Sequence, residues 1–279
     1  MRNVFHSYQQ TAENIDERIN QLAGISIPLG EQKAILVKIL GYLDLTTLEG
    51  ADTEEKVKQL CRQARFSAAG SGFPDAAAVC VYPSLVRAAK KELQNTGIRV
   101  AAVAGGFPSG QTSLKVKLEE VKWAVGEGAG EIDTVISRGK LLEGGDTEVY
   151  EELCAIREAC SDQLLKVILE SGELGTIDPI RRASEIAILA GADFIKTSTG
   201  KIPVGATPEA FLIMLDTIRE YREITGKAIG IKAAGGIRTP DQALLYYQLV
   251  ENTLGADWLN ARCFRIGASS LANEILLAV

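Results

Sequence analysis

Gly191-Ala192-Asp193-Phe194-Ile195-Lys196-Thr197-Ser198-Thr199-Gly200-Lys201 reads as a short apolar strand that carries a lysine into a turn of small and hydroxyl residues. Alternation along a strand sends Phe194, Lys196 and Ser198 to one face and Ile195 and Thr197 to the other, so the lysine shares its face with an aromatic ring. Taking an ammonium out of water is costly and lowers its pKa. An amine that is neutral near pH 7 can attack a carbonyl carbon. The plain alternative is a lysine at a strand end that reaches solvent. The choice turns on what the rest of the chain places beside it.

One strand later, Gly230-Ile231-Lys232-Ala233-Ala234-Gly235-Gly236-Ile237-Arg238 puts a second lysine inside an apolar run. If Ile229 and Ile231 face outward, then Gly230, Lys232 and Ala234 face the same interior as Lys196. Two cations on neighbouring strands disfavour each other's charge, which adds to the effect of burial. The competing reading is an inward lysine merely paired to a carboxylate. Asp133, in Glu131-Ile132-Asp133-Thr134-Val135-Ile136, points away from Ile132 and Thr134 and so inward by the same parity. It could shuttle a proton or serve as a structural counter-ion, and the sequence leaves both open.

From Tyr42 onward, short apolar runs alternate with amphipathic segments. The predicted strands are 42–45, 77–82, 99–104, 131–136, 164–170, 193–197, 228–233 and 262–267. Helical patterns fall at 53–66, 84–95, 112–127, 147–160, 179–190, 207–224, 239–253 and 269–278. Eight strands each followed by a helix, with no linker, predict a parallel sheet closed into a (β/α)8 TIM barrel. An open doubly wound sheet is the alternative, but Asp44-Leu45-Thr46-Thr47-Leu48 after the first strand carries no dinucleotide-type glycine fingerprint. In a barrel, reactive groups belong at the C-terminal ends of strands. Asp44, Thr46, Cys80, Asp133, Glu170, Lys196 and Lys232 all fall in or just after strands. Two further helical patterns, one with Ile15, Ile19 and Leu22 and one with Ile35, Leu36, Ile39 and Leu40, precede the alternation. Residues 1–41 are therefore expected to form an N-terminal helical extension packed on a barrel domain of residues 42–279.

Composition narrows the function class. With 46% hydrophobic and 24% charged residues among 279, the chain has the balance of a globular enzyme. No apolar run approaches the roughly 20 residues that span a bilayer. A net charge of -6 argues against non-specific binding to nucleic acid. The start, Met1-Arg2-Asn3-Val4-Phe5-His6, lacks the apolar core of a signal peptide, and a cytosolic protein is expected. The five cysteines are odd in number and lack paired metal-ligand spacing. His6 is the single histidine, so histidine-clustered zinc sites and His-centred triads are excluded. Lysine, carboxylate, hydroxyl and thiol groups are left to carry the chemistry.

Anion-binding signals come late in the chain. Gly235-Gly236 follows the seventh strand, and Gly267-Ala268-Ser269-Ser270 follows the eighth and opens a helix, with Ser269 or Ser270 as its expected cap. Free N–H groups at helix starts attract anions, and the loops after strands seven and eight hold phosphate in many barrels.

Taken in order, Leu43-Asp44-Leu45-Thr46-Thr47-Leu48, Cys80-Val81-Tyr82-Pro83, Glu131-Ile132-Asp133, Leu165-Lys166-Val167-Ile168-Leu169-Glu170, the Lys196 stretch, Gly235-Gly236-Ile237-Arg238-Thr239 and Gly267-Ala268-Ser269-Ser270 resemble the deoxyribose-phosphate aldolase family. The resemblance runs from about Tyr42 to the C-terminus. It implies a class I aldolase that needs neither metal nor cofactor and reversibly cleaves 2-deoxy-D-ribose 5-phosphate to acetaldehyde and D-glyceraldehyde 3-phosphate. It further implies Lys196 as the Schiff-base lysine, Lys232 as the neighbouring cation and Asp133 as the proton-relay acid. Asp44 and Thr46 would line the sugar pocket beside Cys80. Thr199, Lys201, Gly235, Gly236, Gly267, Ser269 and Ser270 would surround the phosphate. The expected partners are a small-molecule sugar phosphate and aldehydes, with no nucleic acid and no membrane, and a homo-oligomer is expected.

Three features depart from the family pattern: a longer N-terminal stretch, Ala233 where proline is common, and an end at Leu277-Ala278-Val279 without the tyrosine-ending tail of some members. A Schiff-base aldolase with a different acceptor aldehyde and a non-catalytic sugar-phosphate-binding barrel are the competing readings.

Overall fold

The computed structural model describes residues 4–69 and 72–279. Met1–Asn3, which begin the expected N-terminal extension, lie outside the described residues. Eight strands are present among those residues: β1 (Leu43–Thr46), β2 (Ala78–Val81), β3 (Arg99–Ala104), β4 (Glu131–Val135), β5 (Leu164–Ile168), β6 (Phe194–Lys196), β7 (Gly230–Ala234) and β8 (Phe264–Ala268). All pair in parallel in chain order, and β8 returns to β1, so the sheet is a closed barrel.

The helices in chain order are α1 (Ala12–Ala23), α2 (Leu29–Leu40), α3 (Glu54–Gln63), α4 (Val86–Glu92), α5 (Leu114–Gly126), α6 (Arg138–Leu142), α7 (Asp146–Cys160), α8 (Ser171–Leu174), α9 (Ile177–Leu189), α10 (Pro208–Thr225), α11 (Pro240–Leu254) and α12 (Leu271–Ala278). Thr53, Ser113, Thr207 and Thr239 cap α3, α5, α10 and α11 by accepting from the third helical N–H, which satisfies one of the unpaired donors of a helix start. The expected serine cap on α12 is absent: Ser270 precedes the helix with φ -111°, ψ -21° and makes no side-chain capping bond. Its backbone is helical there, so the hydroxyl cannot fold back onto the first turn. The short helices α6 and α8 have no counterpart among the expected elements. At five and four residues they are too brief to show a periodic apolar face.

Strand parity builds the core. Leu45, Val79, Val81, Ile132, Leu165, Val167, Ile195, Ile231 and Ile266 lie in the main apolar cluster, together with residues of the surrounding helices. Ala78, Cys80, Ala101 and Val103 form a separate small cluster with Leu48, against which Tyr82 and Phe107 pack. Small side chains on β2 and β3 leave room for long charged ones from the other strands. The α1 and α2 segments lie against the outer ring: α1 packs on α10 and α11, and α2 on α11 and α12. Ile15 and Ile19 supply the buried face of α1, and Arg18 holds Asp216 of α10 through two hydrogen bonds of 2.7 and 2.9 Å.

Candidate active site

Register places the two lysines of the sequence argument directly opposite each other, Lys196 on β6 against Lys232 on β7. Both are buried. Asp133 on β4 is fully buried beside them, and one of its oxygens, Oδ2, accepts from Lys196 Nζ at 2.7 Å and from Lys232 Nζ at 2.8 Å. The two ammonium groups thus compete for one acceptor atom.

Their acidities diverge. Burial pulls the Lys196 ammonium down, Asp133 opposes this, Lys232 adds to it, and the outcome is a pKa below that of an ordinary lysine. Burial acts the same way on Lys232, but Asp133 and Asp44 outweigh it and leave its pKa raised. Burial would raise the Asp133 carboxyl, yet Lys166, Lys196 and Lys232 hold it well below the usual carboxylate range. At rest the arrangement therefore contains one amine biased toward its neutral form, one cation and one ionised carboxylate.

Three further charged groups surround this trio. Lys166 on β5 reaches Asp133 Oδ1 and Glu131 Oε2, each at 2.6 Å. Arg265 on β8 reaches Asp44 Oδ1 at 2.6 Å and Glu131 Oε1 at 3.0 Å. The sequence reading singled out none of Lys166, Glu131 and Arg265, although each follows the inward parity of its strand and interrupts an apolar run. Asp44, expected beside the sugar hydroxyls, belongs to this charged cluster. It is fully buried, with Oδ2 taken by Lys232 at 2.5 Å and Oδ1 by Arg265. Cys80 is likewise buried on β2, and burial and Asp133 push its thiol up to about 11.

Above the lysines opens a cavity of about 210 Å³. Thr46, Lys196, Thr199, Lys201 and Lys232 line it, as do Gly235, Gly236, Gly267 and Ser269. Ser270 is not among its walls. Leu48, Glu49 and Arg238, which the sequence reading did not select, are. Lys201 reaches Glu49 across the mouth at 2.8 Å. Gly235 and Gly236 hold φ values of +82° and +85°, a region that L side chains rarely enter, and a Cβ on Gly205 would sit 2.4 Å from the Gly235 carbonyl oxygen. The loop after β7 can therefore present bare main chain to the cavity.

Glu170 fastens the neighbouring loop. It follows β5 in a left-handed conformation with φ 57°, is fully buried, and accepts from Thr199 N at 3.1 Å and Thr199 Oγ1 at 2.5 Å. Thr199 Oγ1 accepts in turn from Lys201 N at 3.0 Å. A larger cavity of about 610 Å³ lies between α1, α9 and α10, but none of the buried lysines reaches it.

The family model for DeoC/LacD family aldolases matches residues 38–273. The chain is 47% identical over 241 residues to a putative deoxyribose-phosphate aldolase of Caenorhabditis elegans, covering 86% of this chain and 80% of that protein. It is 46% identical over 256 residues to the deoxyribose-phosphate aldolase of Homo sapiens, covering 88% and 80%. Among solved structures, a putative deoxyribose-phosphate aldolase from Coccidioides immitis superposes with a TM-score of 0.73 at 31% identity over 96% of this chain and 98% of that one. The deoxyribose phosphate aldolase from Aeropyrum pernix, described as a tetramer, does so with a TM-score of 0.67 at 26% identity over the same shares. The chain belongs to the DeoC/LacD aldolase family and is a carbon–carbon lyase on a (β/α)8 barrel.

Proposed function

With that membership as premise, we propose that this aldolase cleaves 2-deoxy-D-ribose 5-phosphate reversibly to acetaldehyde and D-glyceraldehyde 3-phosphate through a Schiff base on Lys196. The observation that carries the reading is the shared acceptor: Lys196 and Lys232 both donate to Asp133 Oδ2, and Lys196 is the one whose pKa falls.

In this reading the neutral Lys196 amine attacks C1 of the open-chain sugar, and loss of water from the carbinolamine gives the protonated imine. The C2–C3 bond then breaks. The proton of the C3 hydroxyl passes to Asp133, directly or through water, C3 becomes the aldehyde carbon of glyceraldehyde 3-phosphate, and the electron pair remains on C2 as an enamine. Protonation of C2 and hydrolysis of the imine release acetaldehyde and restore Lys196. Lys232 stays charged throughout, depresses the Lys196 pKa and can stabilise negative charge that develops on oxygen.

The sugar phosphate would lie over Gly235, Gly236, Gly267 and Ser269, with Lys201 as a cation at the rim. Thr46 would face the sugar hydroxyls from the opposite wall. An acidic protein acting on a deoxynucleoside-derived sugar fits the cytoplasm and deoxyribonucleotide breakdown. A homo-oligomer is expected by analogy with the tetramer of the relative from Aeropyrum pernix.

The direct test is incubation with acetaldehyde and borohydride, followed by peptide mass mapping. A single reduced two-carbon adduct on the Lys196 peptide, absent without aldehyde, is the expected result. Labelling confined to exposed lysines would overturn the assignment.

A further inference from the structure

The buried charges beneath the cavity close on themselves. Asp44 binds Arg265, Arg265 binds Glu131, Glu131 binds Lys166, Lys166 binds Asp133, Asp133 binds Lys232, and Lys232 returns to Asp44, every link between 2.5 and 3.0 Å. Signs alternate around this six-membered ring, which contains three carboxylates and three cations from β1, β8, β4, β5 and β7. All six side chains are buried. Lys196 stands outside the ring and touches it only through Asp133 Oδ2.

We infer that Arg265 and Glu131 are positioning residues for the aldolase reaction, because by closing a ring of zero net charge they leave the Lys196 proton as the one uncompensated charge of the buried cluster. The inference rests on the Schiff-base reading above and concerns what tunes that amine. In a medium that screens poorly, an excess positive charge is expelled most easily from the group with the fewest acceptors. Lys166 and Lys232 each contact two carboxylates closely, whereas Lys196 has half a share of one oxygen. Burial opposes the charge of Lys166 and Arg265 too, but Asp133 and Glu131 outweigh it for the first, and Asp44 and Glu131 for the second, so both hold their protons more firmly than usual. Neither Arg265 nor Glu131 lines the cavity, so they act on the substrate through the groups they hold, Asp44 with Lys232 and Lys166 with Asp133, and through the field they set at Lys196.

Asp133 on β4, Lys232 on β7 and Cys80 on β2 act on Lys196 directly, Asp44 on β1, Glu131 on β4, Lys166 on β5 and Arg265 on β8 are buried with them, and Glu49, Lys201 and Arg238 line the cavity that Lys196 lines. Glu170 follows β5, and Arg99 at the start of β3 approaches Glu131 from outside at 3.7 Å. With these unchanged, deleting one ring charge changes the sum by one.

Arg265→Met leaves the ring negative and should stabilise protonated Lys196. Glu131→Gln leaves it positive and should do the reverse. The pair together restores neutrality. Measured as the pH dependence of acetaldehyde imine formation by borohydride trapping, the midpoint should move alkaline by about one pH unit in Arg265→Met and acid by a similar amount in Glu131→Gln. It should return toward wild type in the double variant. Arg265→Lys keeps the charge and should keep the profile. If Arg265→Met does not fold, the acid shift in Glu131→Gln decides the matter.

An unmoved profile in a folded single variant, a double variant that shifts further instead of returning, or an equal shift in Arg265→Lys would overturn the inference. Wild-type protein that traps no adduct at Lys196 would instead overturn the Schiff-base reading, so the two failures are distinct.

Discussion

Lys196 and Lys117 are both buried lysines paired to a buried carboxylate, yet they are placed for different ends. Lys117 on α5 donates to Glu152 on α7 at 2.8 Å and to Ser137 at 2.7 Å, and Ser137 donates to Glu152 as well. Lys140 approaches the same carboxylate only at 3.9 Å. One cation therefore has a carboxylate almost to itself, plus a hydroxyl. Lys196 must share Asp133 with Lys166 and Lys232. Burial is common to both sites. What separates them is the ratio of cations to acceptors. A satisfied pair joins α5, α6 and α7 as a structural tie, while an oversubscribed carboxylate leaves one amine ready to lose its proton.

Removing each lysine in turn separates the two roles. Lys196→Met should fold, because the ring beneath keeps its own pairing, but should lose at least about a thousandfold in kcat and all borohydride-trapped adduct. Residual turnover near wild type would show that another amine carries the reaction. Lys117→Met should do the opposite. It strands Glu152 in the interior, so urea unfolding should show a loss of about 3 kcal/mol while kcat and the trapping profile of the folded fraction stay as in wild type. A variant as stable as wild type would mean that Lys140 and Ser137 suffice to hold Glu152.

Lys232→Met sharpens the contrast by relieving the crowding at Asp133. Removing the neighbouring cation and freeing Oδ2 both favour protonated Lys196, so its pKa rises, the neutral fraction at pH 7 falls, and imine formation should move alkaline by about one pH unit. The profile of a folded variant that stays in place would mean that burial sets the Lys196 pKa unaided. The smallest effect belongs to the mouth. Glu49 pairs with Lys201 at the rim, so Glu49→Gln should release that cation for an anionic substrate and lower KM for the phosphorylated sugar by about twofold, with kcat unchanged. A higher KM would place Glu49, rather than a phosphate, as the group that Lys201 must hold.

The barrel was legible because each of its signals is local. Apolar runs bounded by glycine, helices opened by Thr or Ser, and a regular alternation of the two can be read without knowing any long-range contact. The expected strands at 99–104 and 131–136 sit within one residue of β3 and β4. The fifth expected strand runs to Glu170, whereas β5 ends at Ile168. Beyond that point Glu170 turns left-handed so that its carboxylate can take the donors of Thr199, a contact 29 residues away that no local pattern encodes. Ser270 failed as a cap for a related reason: residue type permits the bond, but the backbone angle at that turn decides it.

Lys196, Lys232 and Asp133 could be picked out in advance because a charge inside an apolar strand breaks its pattern, and parity alone sends all three inward. The same logic applies to Lys166, Glu131 and Arg265, but parity says only that a side chain faces the interior, not at what depth or against which partner. Depth and partnership come from the stagger of strands around a closed barrel, which sets Lys196 opposite Lys232 and Lys232 opposite Arg265. That stagger makes Asp44 a link between Lys232 and Arg265. By itself the sequence determined the barrel, the inward lysines and the glycine loops, since periodicity and backbone freedom are properties of short stretches. Which carboxylate each cation receives is set by the closed barrel, because charges from six strands meet in its interior.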